Sequence, residues 1–214
     1  MSTKKHGWVK WGFIAACICF VIIAALSIPK LVQQISQSAK QRLLISYLQE
    51  LNMNAEKISS PVFFSTYEMP ALSKEQVIES IQNNTTILGT VSSIDCASIK
   101  DDDKTWFITA IDITIDDVLT GIIDSDTAHV VCAATYSGVA DSQMVPINAV
   151  PDIREGMKAA FVLSKLSGEP WEIAGKEVDP HILGDFYIVY KLDYLDDVLT
   201  YSEQNISVSL SEIK

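Results

Sequence analysis

Hydrophobic residues along this chain follow three successive patterns, and the first is an unbroken apolar stretch from Trp11 to Ile28. A helix of that length reaches roughly 27 Å, close to the hydrocarbon thickness of a bilayer. A short basic tail precedes the stretch, which favours a cytoplasmic N-terminus. We therefore expect a cytoplasmic tail at residues 1–10, a transmembrane helix at residues 11–28 that contacts the lipid bilayer, and an extracytoplasmic location for the remaining chain.

Two other interpretations of the N-terminus compete with this signal anchor. A signal peptide would be cleaved, but its apolar region is usually shorter than the stretch seen here. A lipoprotein would be lipidated at Cys17, because Ile14–Cys17 resembles a bacterial lipobox. The apolar run continues well past Cys17, whereas a lipidated cysteine usually opens a polar tether. The pattern favours an uncleaved single-pass anchor.

The second pattern has a helical period and predicts a juxtamembrane helix at residues 29–60. Proline cannot continue a helix, so Pro61 would end it. The stripe could form a dimeric coiled coil, or it could pack on the chain's own domain or rest on the membrane surface. Two heptads without flanking charge pairs are few for a coiled coil, which favours packing. The apolar stripe consists of Leu44, Leu48, Leu51, Ala55 and Ile58.

A short second helix is predicted after an extended connection. Ser73 and Gln76 have the spacing of a capping box, in which each side chain binds a free backbone amide of the first turn. The helix would run through Gln82 and place Val77, Ile78 and Ile81 on its inner face.

The third pattern alternates with period two and predicts five strands, with a bulge or a tight bend at Gly89 in the first of them. Strands separated by turn residues favour a small antiparallel β-barrel at about residues 86–194, within an extracytoplasmic domain at residues 61–195. Residues 196–214 are predicted to form an acidic C-terminal tail, or an added edge strand at Ile206–Leu210. The predicted fold class is α+β. The five strands are placed at residues 86–94, 106–118, 127–135, 158–166 and 186–194.

The order of these strands carries a resemblance. The chain order is a Gly-Thr-Val strand, a long strand ending at Val118–Gly121, a Val130-Val131 strand, the turn at Ile153–Met157 and a Phe161–Leu163 strand. This order resembles the exported OB-like β-barrel domains of Gram-positive surface and membrane-anchored proteins. The resemblance implies fold and location only, because that family has no common catalytic residues.

Charge is divided unevenly along the chain. The net charge is −11, and residues 1–30 contain four lysines and no acidic residue. The rest therefore carries a formal charge of about −15. Such a domain should repel nucleic acid and favour a basic partner or a bound cation, although acidity also simply keeps an exposed domain soluble.

Two cysteines fall in the predicted outer domain, one near the end of the first predicted strand and one within the third. In an extracytoplasmic domain Cys96 and Cys132 are a candidate disulfide, and the alternative is a pair of buried thiols. His129 lies three residues before Cys132 on one strand, so the two side chains should point to opposite faces. That spacing argues against a histidine–cysteine nucleophile pair.

The acidic pairs Asp101/Asp103, Asp116/Asp117 and Asp124/Asp126 could offer oxygen ligands to Ca²⁺, but aspartate is also expected at turns. We predict no metal, no cofactor and no catalytic residue. The expected function is a non-catalytic binding or scaffolding role at the cell envelope, with an envelope protein as partner. The partner would meet the barrel or its loops at residues 136–156 and 167–185. The alternative is a membrane-anchored envelope hydrolase or transferase.

Overall fold

The structure is a computed structural model that describes residues 43–64, 71–102, 104–137, 144–146 and 153–213. The helical segments in these ranges are α1 (residues 43–50), α2 (Lys74–Asn83), a 3-10 turn (Pro180–Ile182) and α3 (Leu210–Ile213). The strands are β1 (Ala55–Lys57), β2 (Val62–Phe64), β3 (Thr85–Asp101), β4 (Lys104–Thr120), β5 (Thr127–Ser137), β6 (Met144–Pro146), β7 (Lys158–Lys165), β8 (Trp171–Ile173), β9 (Lys176–Val178), β10 (Phe186–Leu195), β11 (Val198–Tyr201) and β12 (Ile206–Ser209).

Five strands close into a ring at the centre of the fold. β3 pairs with β4, β4 with β5, β10 with β7, and β7 back with β3, all antiparallel. β5 and β10 complete the ring through a parallel contact at Phe186 and Val130. β1 extends β3, while β11 and β12 extend β10. Closure pairs the strand edges inside the ring with one another, which holds its ends in fixed relative positions.

The interior of this five-stranded ring is apolar because alternate residues of each strand point inward. Phe161 of β7 has no exposed surface and is the largest fully buried side chain there. The buried residues of this interior are Ile87, Val91, Ile111, Ile113, Ala128, Val130, Ile153, Ala159, Phe161, Leu163, Phe186 and Ile188.

Two further apolar clusters lie on the outside of the ring. α1 and the β8–β9 hairpin cover the outer face of β3, β4 and β5, where Leu48 of α1 meets Ile108 and Val131. α2, α3, β11 and β12 cover β7 and β10 elsewhere, where Ile81 of α2 meets Leu192. Other segments of the same chain therefore cover two parts of the outer surface of the ring.

Two local predictions are confirmed. Ser73 and Gln76 form the predicted capping box at the start of α2, with the Ser73 amide donating to the Gln76 side chain at 2.8 Å. β3 shifts register at Gly89, as the predicted bulge requires. A Cβ at this glycine would lie 2.7 Å from the Thr114 carbonyl oxygen, so the neighbouring strand leaves no space for a side chain.

The predicted fold class, α+β, is wrong, because the described residues are mostly β-sheet. The helix predicted at 29–60 is helical at residues 43–50 and has ended before β1. Asn52 takes a left-handed conformation with φ of 56°, and Met53 N donates to Leu48 O at 3.0 Å. That combination closes a helix C-terminus, and it stops α1 well before the proline.

The acidic tail predicted at residues 196–214 also contributes strands. Asp196 and Asp197 have φ of 49° and 62°, which matches the two-residue hairpin turn between β10 and β11. β12 then pairs with β11 along its whole length. The edge strand that we considered at Ile206–Leu210 corresponds to β12.

The membrane prediction needs a separate correction. Within the described ranges, no helix is long and apolar enough to cross a membrane. The transmembrane helix predicted at residues 11–28 and the tail at 1–10 lie outside those ranges. No described element supports the membrane and signal-anchor interpretation.

Candidate functional site

The two cysteines of the candidate disulfide are free thiols in this structure. Thr109 of β4 pairs with Cys96 of β3 on one side and with Cys132 of β5 on the other. Neighbouring strands lie about 4.8 Å apart, so two interstrand spacings, one on each side of β4, separate the backbones of the two cysteines by roughly 10 Å. Disulfides need Cα atoms closer than about 7 Å. A bond between Cys96 and Cys132 is therefore not compatible with this register.

The same two thiols are poor nucleophiles. Burial raises the pKa of Cys96 to about 12, although its Sγ lies 3.3 Å from the Thr109 hydroxyl. Burial also raises the pKa of Cys132 to about 11. Because the thiolate is the reactive form, both groups are almost entirely unreactive at neutral pH. His129 belongs to the opposite face of β5 from Cys132, as its odd position in the alternation requires.

His129 instead joins a polar cluster on the outer face of the ring. It pairs in register with Asp112, and its Nδ1 lies 2.6 Å from Asp112 Oδ1. Ser93 lies on the other side of Asp112 and donates its hydroxyl to Oδ2 at 3.1 Å. The aspartate thus stands between the serine and the histidine.

The order of this cluster decides what chemistry it can perform. A serine nucleophile needs a base within hydrogen-bond reach of its own hydroxyl. Ser93 and His129 are two strands apart, so about 10 Å separates them. The arrangement orients side chains around a carboxylate, and it does not form a nucleophile–base pair.

Asp95 is the most deeply buried charged residue of the same face, with 6% of its surface exposed. Lys57 of β1 approaches its Oδ1 at 3.1 Å, while Oδ2 has no hydrogen-bond partner among the residues that the structure describes. Burial raises the pKa of the Asp95 carboxyl, the Lys57 ammonium opposes that shift, and the Asp112 charge adds to it. Such a group is inaccessible to a substrate.

An open pocket lies where β7 begins and β10 nears its end, with a volume of about 370 Å³. We call it the rim pocket. The turn before β7 forms one wall, and Gly156 occupies its left-handed position with φ of 79°. The turn is tied to β3, since Gly156 N donates to Val91 O at 2.8 Å and Val91 N donates to Met157 O at 2.9 Å. The lining residues are Arg154, Glu155, Gly156, Met157, Lys158, Ala159, Lys191 and Asp193.

The charged groups of the rim pocket differ in how they are engaged. Glu155 Oε1 accepts a hydrogen bond from the Ile94 amide at 3.1 Å, and Asp193 accepts from the Ser202 hydroxyl. Lys158 forms an exposed ion pair with Asp116 at 2.9 Å. Both pocket carboxylates are therefore held by donors of the protein itself.

Arg154 differs from these neighbours. Its side chain is exposed, and it has no ion pair or side-chain hydrogen bond within the part of the chain that the structure describes. Lys191 lies in the pocket wall with its ammonium 3.7 Å from Asp193 Oδ1, a loose contact. The pocket therefore presents one unengaged guanidinium beside two further cations.

Of the two predicted partner-binding loops, the first, at residues 136–156, supplies Arg154, Glu155 and Gly156 to the rim pocket, whereas the second loop and the acidic pairs contribute little. Residues 138–143 and 147–152 of the first loop lie outside the described ranges, and the second loop folds into the β8–β9 hairpin on the outer cluster. Of the acidic pairs, Asp116 binds Lys158, while Asp103 is also undescribed. Among described residues, no group of three or more His, Cys, Asp or Glu could hold a metal ion.

Sequence reasoning placed a turn at residues 153–157 but missed the pocket. Arg154 of the turn and Lys158 of β7 are four residues apart, but Lys191 of β10 lies more than thirty residues further along the chain. Only the antiparallel pairing of β7 with β10, in which Lys191 faces Phe161, brings them together. A cluster of Arg154 and Lys158 in an acidic domain was the available signal.

Comparisons with known proteins complete the description. No protein-family model matches this sequence, and no significant match is found among curated proteins or among solved structures.

Proposed function

We propose that this chain has a non-catalytic binding role and that the rim pocket contacts the bound molecule. The observation that carries the proposal is the open, charged pocket of about 370 Å³, which paired strands and a tied turn hold in place. Concave sites with a few convergent polar groups are the usual location of ligand contacts. A pocket that is already formed avoids part of the cost of ordering on binding.

The chemistry of the other polar groups supports binding over catalysis. The thiols of Cys96 and Cys132 are held protonated, and Ser93 donates to a carboxylate that separates it from His129. No specific observation favours the hydrolase or transferase that the sequence offered as an alternative. The extracytoplasmic location, the OB-like resemblance and the exclusion of nucleic acid stay predictions from the sequence.

The test is a nuclear magnetic resonance titration of the full chain, labelled with ¹⁵N. The probes are inorganic phosphate, succinate, glycine, putrescine and a neutral sugar, which cover each sign of charge. We expect at least one of them to shift the amides of Gly156, Met157 and Lys158 more than those of the β8–β9 hairpin. The hairpin is the internal reference, because it lies on the outer cluster.

Two results would contradict the proposal. The first is that no probe shifts the pocket amides above the hairpin reference. The second is turnover of p-nitrophenyl acetate or p-nitrophenyl phosphate by the wild-type chain that Arg154→Gln abolishes. That second result would place catalysis, and not simple binding, at the rim pocket.

A further inference from the structure

We propose that the rim pocket selects a small molecule or side group bearing an oxyanion, a carboxylate or a phosphate. This inference rests on the binding role proposed above and adds the chemical class of its ligand. It runs against the overall charge of the chain, which is −11. The preference must therefore come from the local arrangement of charged groups around Arg154.

The carboxylates of the rim pocket have internal hydrogen-bond partners, whereas the Arg154 side chain has none among the described residues. The Glu155 carboxylate already accepts from the Ile94 amide, and the Asp193 carboxylate accepts from Ser202. A ligand cation would have to compete with those internal donors. The Arg154 guanidinium has no such partner among the described residues, so an incoming oxyanion displaces only water.

The second argument is donor geometry. A guanidinium offers a planar set of N–H donors that matches the two oxygens of a carboxylate or phosphate. Lys158 and Lys191 add positive charge to the same lining, and the turn at Gly156 leaves open space in front of it, since nothing lies within 4 Å of a Cβ placed there. Lys158 is itself paired with Asp116, and internal donors hold the two carboxylates of the lining. The Arg154 guanidinium therefore makes an oxyanion the complementary ligand.

The third argument is size. A volume of about 370 Å³ falls in the lower part of the range for small-molecule sites. It can hold an organic acid or a phosphorylated group of a few heavy atoms beyond the oxyanion. The structure thus assigns the charged head of the ligand, and both carboxylate and phosphate share that chemistry.

The test is isothermal titration calorimetry of the full chain with inorganic phosphate, succinate and putrescine. We compare wild type with Arg154→Gln and with Lys176→Gln. The control removes the same charge from the exposed β8–β9 hairpin, away from the pocket. It therefore corrects for the general effect of net charge on anion affinity.

We expect phosphate or succinate to bind wild type and Lys176→Gln alike, and to bind Arg154→Gln at least about tenfold more weakly, the loss of one charge-assisted contact. Binding should also weaken between about 20 mM and about 500 mM NaCl, because salt screens exposed charges. The tighter of the two anions identifies the source of the oxyanion, phosphate or carboxylate.

Three outcomes would overturn the oxyanion assignment. If putrescine binds at the pocket and neither anion does, the binding role stands while the ligand class is wrong. If Lys176→Gln weakens anion binding as much as Arg154→Gln, the effect is diffuse charge and no site is involved. If no probe binds at all and none shifts a pocket amide, both this inference and the binding role fail.

Discussion

The interior of the five-stranded ring and the rim pocket are built from the same strands but from opposite kinds of side chain. β7 supplies Phe161 to the interior, fully buried, and supplies Lys158 to the pocket, exposed. β10 likewise supplies Ile188 inward and Lys191 to the pocket wall. A few residues along one strand thus separate the apolar core from the charged surface.

Because the two regions use different side chains, changes in the rim pocket should leave the stability of the fold intact. Interior side chains contribute through burial, which is lost when they are truncated. Exposed charges contribute little to folding, since surface ion pairs are worth about 0–1 kcal/mol. We therefore expect stability to respond to the interior and binding to respond to the pocket.

The largest expected effect comes from Phe161→Ala. Removing a ring that is fully buried in the interior leaves a cavity, and we expect a loss of about 3–5 kcal/mol in the free energy of unfolding. Urea denaturation followed by circular dichroism measures it. The matched control is Ile122→Ala, because that side chain is 77% exposed and should change stability by less than about 0.5 kcal/mol. Equal losses in both variants would contradict a packed interior.

A smaller loss is expected where strands approach closely. In Gly89→Ala the new methyl would lie 2.7 Å from both the Thr114 carbonyl oxygen and the Ile113 side chain, so we expect a cost of about 1–3 kcal/mol. Gly168→Ala is the control, since nothing lies within 4 Å of its Cβ position. Thermal unfolding of both variants checks this, and an unchanged midpoint in Gly89→Ala would show that the bulge is not tightly packed.

The polar cluster outside the ring should contribute less than the interior. Asp112→Asn keeps the shape but weakens the contacts to His129 and Ser93, for which we expect a loss of about 1 kcal/mol. Asp126→Asn removes the same charge from an exposed turn position and serves as the control. Urea denaturation at neutral pH distinguishes them. A gain in stability on Asp112→Asn would contradict this expectation, because the Asp112 carboxylate would then destabilise the folded state.

Unlike the three preceding substitutions, Asp95→Asn should increase stability at neutral pH. Because the folded state raises the Asp95 pKa above its ordinary value of 3.8, folded protein binds that proton more tightly than unfolded protein does. This contribution is complete below pH 3.8 and is lost as the pH rises through the raised folded value. The variant should therefore be slightly more stable than wild type at neutral pH, by less than the loss at Gly89, although Lys57 loses its partner.

The readout for Asp95→Asn is the pH dependence of the unfolding free energy. As the pH rises from 3.8 through the raised pKa of Asp95, wild type should lose stability relative to the variant. The variant has no carboxyl at this position and should not show this loss. If the variant is instead less stable than wild type at neutral pH, then the ion pair with Lys57 outweighs the cost of burying the carboxylate.

The sequence predicted the ring strands well because alternation with period two reports directly which side chains point inward. The five predicted strands all lie within or overlap β3, β4, β5, β7 and β10, and the bulge at Gly89 was found for the same reason. The sequence did not predict the end of α1. The helix ends through the left-handed conformation of Asn52 and the hydrogen bond from Met53 N to Leu48 O, and the apolar spacing of the stripe does not report either.

The polar cluster and the rim pocket could not be predicted, because alternation gives the face of a strand and not its register. Ser93, Asp112 and His129 align only through the pairing of β3, β4 and β5. Arg154 and Lys191 meet only through the pairing of β10 with β7. The hairpin between β10 and β11 was missed because its turn uses Asp196 and Asp197, which fit an acidic tail equally well.

The most direct test of the separation between core and pocket is a paired measurement on Arg154→Gln. Its unfolding free energy and its affinity for phosphate or succinate are measured on the same preparation of the full chain. We predict a stability within about 0.5 kcal/mol of wild type, as for other exposed positions, together with an affinity at least about tenfold weaker. Lost stability with unchanged affinity would contradict the account, since Arg154 would then support the fold and not the ligand.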